Sequence, residues 1–268
     1  MAVLEKGKKI YFLSDFHLGA PDYDRSLVRE KKIVAFLDQI KKDAACIFLV
    51  GDMFDFWYEY KDVVPKGYTR ILGKLAEIAD SGIPMKFFIG NHDMWMQGYF
   101  EKEFHMEVFD NPQTYEWNGK KFYIGHGDGL GPGDHGYKFL KKIFRNKLCR
   151  LLFGALHPWI GIGIANYFSR KSRAKTGNGD SIWLGDDKEW LVIYSQEVLQ
   201  QQYFDYFIFG HRHFPIDILL KENSHYVNLG DWIDHFTYAE FDGKNLELKN
   251  YAGNILNDRA IVARNLNK

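Results

Sequence analysis

Five times along this 268-residue chain an apolar, β-prone run stops at a short cluster rich in glycine and metal-capable side chains. The clusters are Ser14-Asp15-Phe16-His17, Gly51-Asp52, Gly90-Asn91-His92-Asp93, Gly125-His126-Gly127-Asp128 and Gly210-His211-Arg212-His213. The runs that precede them are Lys9–Leu13, Ile47–Val50, Met85–Ile89, Lys121–Ile124 and Asp205–Phe209. No other feature constrains the fold as much, because ligands of open α/β sheets sit beyond the carboxyl ends of the strands. Polar clusters at successive strand ends therefore converge on one site. Glycine before Asp52, Asn91, His126 and His211 permits unusual dihedrals and close approach of backbone to a ligand. In Gly210–His213 the histidines are two residues apart, so extended backbone predicts both rings on one side and Arg212 pointing away.

Between the first three runs the apolar spacing is helical. Ile33, Val34, Phe36, Leu37 and Ile40 form one set; Ile71, Leu72, Leu75, Ile78 and Ala79 form another, closed by Gly82 and Pro84. Strand, helix, strand, helix, strand predicts a parallel sheet with crossover helices. The grammar then changes, because Thr114–Trp117 and Lys121–Ile124 flank Asn118-Gly119, a strong hairpin signal that predicts antiparallel strands joining the sheet. A helix is expected around Glu189–Gln202. Further antiparallel strands are expected at Tyr226–Leu229, Thr237–Phe241 and Leu246–Tyr251, the last two about an Asp242-Gly243 turn. The simplest reading is a single α/β (α+β) domain over residues 1–268 with a helical insertion at about 137–185.

The donor set is carboxylate, amide oxygen and imidazole. Cys46 and Cys149 are the only cysteines, which excludes a disulfide framework or a Cys-rich zinc motif. Such donors suit Mn²⁺, Fe or Zn²⁺. Asp15, His17, Asp52, Asn91, His126, His211 and His213 are more ligands than one ion needs. Two ions bridged by a shared carboxylate, roughly 3.5–4 Å apart, would use them all. A lone histidine is more often a surface or satisfied core residue, and His105, His157, His225 and His235 are read that way. Gly125–Gly136 lacks the Gly-Lys-Ser/Thr of a P-loop, which argues against an NTPase.

Taken in order, Asp15-x-His17, Gly51-Asp52, Gly90-Asn91-His92-Asp93, Gly125-His126 and Gly210-His211-x-His213 resemble the signature of the calcineurin-like metallophosphoesterases, over nearly the whole chain. That resemblance implies a β-sandwich flanked by helices and a dinuclear metal centre. It implies that Asp15, His17, Asp52 and His213 hold one ion and that Asp52, Asn91, His126 and His211 hold the other, with Asp52 as the bridge. His92 would protonate the leaving oxygen or bond the phosphate, alongside Asp52 and Asn91. Asp93 and Asp128 would orient ligand histidines.

Substrate choice is expected to lie between the fourth and fifth clusters. Tyr137–Lys175 carries ten Lys or Arg and no Asp or Glu, although the whole chain balances 35 basic against 35 acidic residues. Phe139, Leu140, Ile143, Phe144, Leu148, Leu151 and Leu152 are spaced as helix faces among Lys141, Lys142, Arg145, Lys147 and Arg150, a pattern suited to an anionic interface. Leu151–Phe168 is apolar but is interrupted by His157, Pro158, Asn166 and glycines, so a cap or an acyl slot is expected rather than a membrane span.

A narrower resemblance rests on Ser14-Asp15-Phe16-His17-Leu18, Gly51-Asp52-Met53-Phe54-Asp55-Phe56-Trp57, and His126-Gly127-Asp128 followed by Asp134-x-Gly136-Tyr137. These are similar to the UDP-2,3-diacylglucosamine pyrophosphatases of lipid A synthesis. The resemblance implies a lid over acyl chains, release of UMP and the acylated sugar 1-phosphate, and work at the cytoplasmic face of the inner membrane. It also implies substrate contacts from Asn91, His92, Asp134 and Tyr137, and from the basic residues Arg170, Lys171, Arg173 and Lys175. Its best-known members carry arginine where His92 stands, and Arg212 is a candidate for the missing cation. Two alternatives stay open: a soluble phosphoesterase of nucleotides or phosphoproteins, and a noncatalytic scaffold. Neither nucleic-acid binding nor a signal peptide is expected, and the oligomeric state is left open.

Overall fold

The computed structural model describes residues 2–132, 135–165, 167, 183, 185 and 187–256. In its first sheet β1 (Lys9–Leu13), β2 (Ala44–Leu49), β3 (Met85–Phe88) and β4 (Glu107–Phe109) run parallel in that order. Beyond β1 the sheet continues antiparallel through β10 (Thr237–Phe241) and β11 (Leu246–Asn250). The crossovers are α1 (Tyr23–Ile40), α2 (Thr69–Asp80) and α3 (Tyr99–Phe104). Local chemistry sets their ends. The Asp22 carboxylate accepts from the Arg25 amide at 2.9 Å and caps α1, while the chain leaves α2 through Gly82 in the left-handed region at φ 77°.

The Asn118-Gly119 hairpin forms as expected, with both residues at positive φ (51° and 78°), the geometry whose twist matches flanking strands. It does not join the first sheet. Instead β5 (Gln113–Trp117) and β6 (Lys120–Ile124) begin a second sheet, continued by β7 (Tyr206–Phe209), β9 (His225–Asn228) and β8 (Ile216–Leu219). The reason lies in β1 and β2, which are apolar on both faces. Tyr11 and Leu13 pack with Ile33, Phe36 and Leu37 of α1, whereas Ile10 and Phe12 pack with Phe48, Phe122, Ile208 and Val227 between the sheets. A sheet buried on both faces needs helices on one and a second sheet on the other. The outer face of the second sheet is covered by α7 (Trp190–Leu199), through Leu191 and Val192. The result is an α/β sandwich of two mixed sheets flanked by helices. Three short elements, α3, β4 and β8, go beyond what periodicity predicts.

Between β6 and β7 lie α4 (His135–Arg145), α5 (Lys147–Gly154) and α6 (158–165). Among the described residues no helix is long and apolar enough to cross a membrane. Gly131, before α4, packs directly on the carbonyl of Trp190 at the start of α7, so the chain enters and leaves this helical segment at one place.

Candidate metal centre

All five clusters lie at carboxyl ends of strands: after β1, β2 and β3 in one sheet, and after β6 and β7 in the other. The two sheets thereby bring seven predicted ligands to one rim. Asp15 Oδ1 lies 3.2 Å from His213 Nε2 and 3.6 Å from His17 Nε2, and the two ring nitrogens are 3.0 Å apart. Alongside, Asp52 Oδ2 lies 3.3 Å from His126 Nε2, and Asn91 Oδ1 is 3.3 Å from that nitrogen and 2.9 Å from His211 Nδ1. Asp52 Oδ2 is also 3.7 Å from His17 Nε2, so one carboxylate faces both groups. Its other oxygen accepts from the His92 amide at 2.8 Å.

Extended backbone does not account for this convergence. His211 and His213 are left-handed, at φ 67° and 48°, and so are Asp15 (55°), His17 (43°) and Asp52 (53°). Such conformations cost roughly 1–3 kcal/mol each outside glycine and persist where surroundings over-determine them. Here neighbouring strand-end loops supply the ties. The Asp15 and His17 amides donate to Gly51 O and Asp52 O at 3.0 and 2.9 Å, and the His211 amide donates to Asp15 Oδ2 at 3.0 Å. Ser14 Oγ donates to Asp15 Oδ2 at 2.5 Å. The left-handed turn sends His211 and His213 to different groups rather than to one side. Gly90 and Gly210 serve close approach, since a Cβ would overlap the Asp52 carboxylate in one case and Ser14 Oγ in the other.

The donor arrangement fits cations. Asp15 Oδ1 is buried without a hydrogen-bond donor, and the facing nitrogens of His17 and His213 leave little for a proton to satisfy. His126 Nδ1 donates to Val50 O at 2.8 Å, which reserves Nε2 for the site. Burial opposes the charge on His126, but Asp52 pushes the imidazole up to about 10. Burial likewise opposes ionisation of Asp52, yet the surrounding histidines, His126 foremost, hold it below the usual carboxylate range. A cluster that recruits a proton to this position is short of positive charge, which a divalent ion would supply. Asp15, His17 and His213 thus form one donor group and Asn91, His126 and His211 another, with Asp52 facing both.

His92 stands at the edge of the first group, its ring 4.7 Å from that of His17. Its Nδ1 donates to Asp55 O at 2.9 Å, and burial pushes the imidazole down to about 4. Asp93 does not orient a histidine through these contacts: it accepts from the amides of Met53 and Gly90 at 2.8 Å, pinning the loops that carry Asp52 and Asn91. Burial, then the charge of Asp52, pushes Asp93 up to about 7. Asp128 pairs with Lys141 of α4. Arg212 does not stand in for a missing cation; it is buried against Glu189, with Nε donating to Oε1 at 2.5 Å. Asp134, Arg170, Lys171, Arg173 and Lys175 lie outside the described residues. Tyr137 lies on α4, and its side chain is likewise outside the description.

Two carboxylates enter that the sequence reading left without a role. Asp55 Oδ1 lies 3.8 Å from His17 Nδ1 and 3.7 Å from His92 Nδ1. Asp231 Oδ2 lies 3.7 Å from His213 Nδ1 and 3.3 Å from His235 Nδ1. Asp231 was findable: Leu229-Gly230-Asp231 follows β9 with the same strand, glycine, carboxylate punctuation.

The helical segment seats on this same rim. Phe144 packs on Trp95, and Phe153 on Phe56, Tyr58 and Trp95, with ring centroids 4.6–6.2 Å apart. Trp95 Nε1 donates to Phe144 O and Tyr58 OH to Arg150 O, both at 2.7 Å. Lys138, Lys141 and Arg145, one stripe of α4, turn inward to Gly131 O, Asp128 and Asp110. Outward, Leu148, Leu151, Leu152 and Trp159 are exposed, Trp159 to 80%.

The family model for calcineurin-like phosphoesterases matches residues 8–215. A UDP-2,3-diacylglucosamine hydrolase of Porphyromonas gingivalis is 40% identical over 253 residues, 90% of this chain and 97% of that protein. A protein of the same name from Shewanella sp. (strain W3-18-1) is 25% identical over 89% of this chain and 95% of its own. Among solved structures, Yfce, a phosphoesterase from E. coli, aligns over 94% of this chain and 99% of its own with a TM-score of 0.47 at 15% identity.

Proposed function

The chain belongs to the calcineurin-like phosphoesterase family, and on that premise we propose that it is a metal-dependent hydrolase of UDP-2,3-diacylglucosamine, yielding UMP and 2,3-diacylglucosamine 1-phosphate. The observation that carries this reading is one rim bearing both the paired donor groups around Asp52 and a seated helical segment with exposed apolar side chains. The 40% identical Porphyromonas relative, matched over nearly its whole length, supports the same substrate.

Asp15, His17, Asp52 and His213 would hold one divalent ion, and Asp52, Asn91, His126 and His211 the other, with Mn²⁺ the best match to the donors. Bound there, two such ions would supply hydroxide at neutral pH and offset charge on the phosphoryl oxygens. The chain's own residues do the remaining work. Asp52 keeps the two groups together, and its backbone neighbours are pinned by Asp93. His92 is neutral before substrate arrives, with its Nδ1 proton committed to Asp55 O. It becomes a donor through Nε2 only when an anionic diphosphate draws a second proton to the ring. The leaving sugar phosphate or UMP is then protonated or hydrogen-bonded by that nitrogen.

The helical insertion, at about 137–185, is the proposed lid. Its exposed apolar side chains would meet acyl chains, Asp134, Tyr137 and the basic run Arg170–Lys175 would contact the substrate's polar part, and the enzyme would work at the cytoplasmic face of the inner membrane. A Mn²⁺-supplemented assay across UDP-diacylglucosamine, UDP-sugars, dinucleotides and a chromogenic diester tests the reading. Turnover of the lipid substrate should exceed the others by orders of magnitude. Equal turnover of lipid-free nucleotides, unaffected by deleting residues 137–175, would sink it.

A further inference from the structure

Arg212 stands between His211 and His213, yet its side chain leaves the donor groups altogether. It forms a two-point pair with Glu189, Nε to Oε1 at 2.5 Å and Nη2 to Oε2 at 3.3 Å, with the side chains 4% and 1% exposed. The guanidinium carbon also lies 5.2 Å from the centroid of the Trp190 ring. Glu189 is the residue that opens α7, but its side chain caps no helix amide; it is given to Arg212. At that point the helical segment returns to the domain, with Gly131 of the entering chain packed on Trp190 O.

We propose that Arg212 and Glu189 are the positioning pair of the metal centre, fixing the left-handed loop Gly210–His213 from outside the site and tying it to the root of the helical segment. Among the described residues the loop is also tied inward and to its own sheet. The His211 amide donates to Asp15 Oδ2 at 3.0 Å, Asn228 Nδ2 donates to Gly210 O at 2.5 Å, and the Arg212 amide donates to Gly210 O at 2.8 Å. The Arg212–Glu189 pair adds a tie to the start of α7. A bidentate guanidinium–carboxylate pair fixes orientation as well as distance. Held in the middle, the loop delivers His211 to one donor group and His213 to the other. Loss of the pair frees both rings at once, so both ions are affected together.

This inference rests on the reading that the two donor groups hold divalent metal. The test is Mn²⁺ titration by calorimetry of wild-type protein and of Glu189→Gln, at a temperature where circular dichroism shows both folded. Removal of such outer partners typically weakens metal binding about 10–100-fold, and that loss is expected here. At saturating Mn²⁺ the KM for the diphosphate substrate should move by less than about twofold, with the deficit appearing in the metal requirement. A pair with a merely structural role would lower the unfolding midpoint and leave Mn²⁺ affinity of the folded protein unchanged; that result overturns the proposal. Should Glu189→Gln not fold, the double variant Arg212→Met with Glu189→Met removes both buried charges together. Weakened Mn²⁺ binding in it supports the proposal, and native affinity overturns it. If wild-type protein takes up no Mn²⁺, the metal reading falls and the pair's role with it, whereas equal binding by wild type and variants removes the pair's role alone.

Discussion

Five of the seven proposed ligands hold backbone conformations that side chains disfavour, and four of them, Asp15, His17, Asp52 and His211, are tied by hydrogen bonds to another strand-end loop. Asp52 is where the two donor groups meet. Asp52→Ala should therefore abolish hydrolysis and Mn²⁺ retention together, read by turnover and by metal content after gel filtration; normal turnover would refute the bridging role. The His92 ring stands beside the pairs around Asp15 and Asp52, and only its backbone amide bonds Asp52. His92→Ala should keep its metal and lose about 10²–10⁴-fold in kcat. The donor residues were legible in the sequence because five follow glycine or serine directly after an apolar run, and His17 and His213 stand two residues further on. Their division into two groups was legible only through family resemblance, since it depends on left-handed turns that spacing does not encode. Asp55 and Asp231 went unassigned for a related reason: their roles arise from loops of different strands meeting, which no local pattern records.

At the level of elements, the amphipathic segment between β6 and β7 was readable as helical and basic, but not which face would turn inward. The spacing suggested basic side chains toward an anionic surface, whereas Lys138, Lys141 and Arg145 bond the rim of the sandwich. The apolar side chains divide as well: Phe144 and Phe153 seat on Trp95, and Leu148, Leu151 and Leu152 remain outside. Trp95→Ala removes the two ring contacts to the helical segment, with Phe144 and Phe153, and the bond to Phe144 O. Aromatic pairs contribute about 0.5–1.5 kcal/mol each beyond burial, so KM for the lipid substrate should rise about tenfold. Turnover of a small chromogenic diester should stay within about twofold; an equal loss on both would mean that Trp95 serves folding rather than the lid. A second expectation belongs to this segment's outer face. Replacing Leu151 and Leu152 with Glu should weaken co-sedimentation with anionic vesicles, and unchanged binding would remove the membrane role.

Across the whole molecule, stability should reside mainly in the layer between the sheets, where Phe12, Phe48 and Phe122 are fully buried and stacked 5.1–6.3 Å apart. Phe48→Ala should cost about 3–5 kcal/mol, measured by denaturant unfolding, with Mn²⁺ affinity retained at temperatures where the variant is folded. The parallel half of this architecture was readable from alternating strands and helices. The second sheet came only through the family resemblance, which implied a sandwich, because a hairpin announces antiparallel pairing but not the sheet it belongs to; the doubly apolar faces of β1 and β2 held that information. With Gly131 resting on the Trp190 carbonyl, the helical segment leaves and rejoins the sandwich at a single graft point. Lineages could lengthen, shorten or exchange it without disturbing strand order, inheriting the hydrolytic machinery intact while the choice of what it cuts is rewritten.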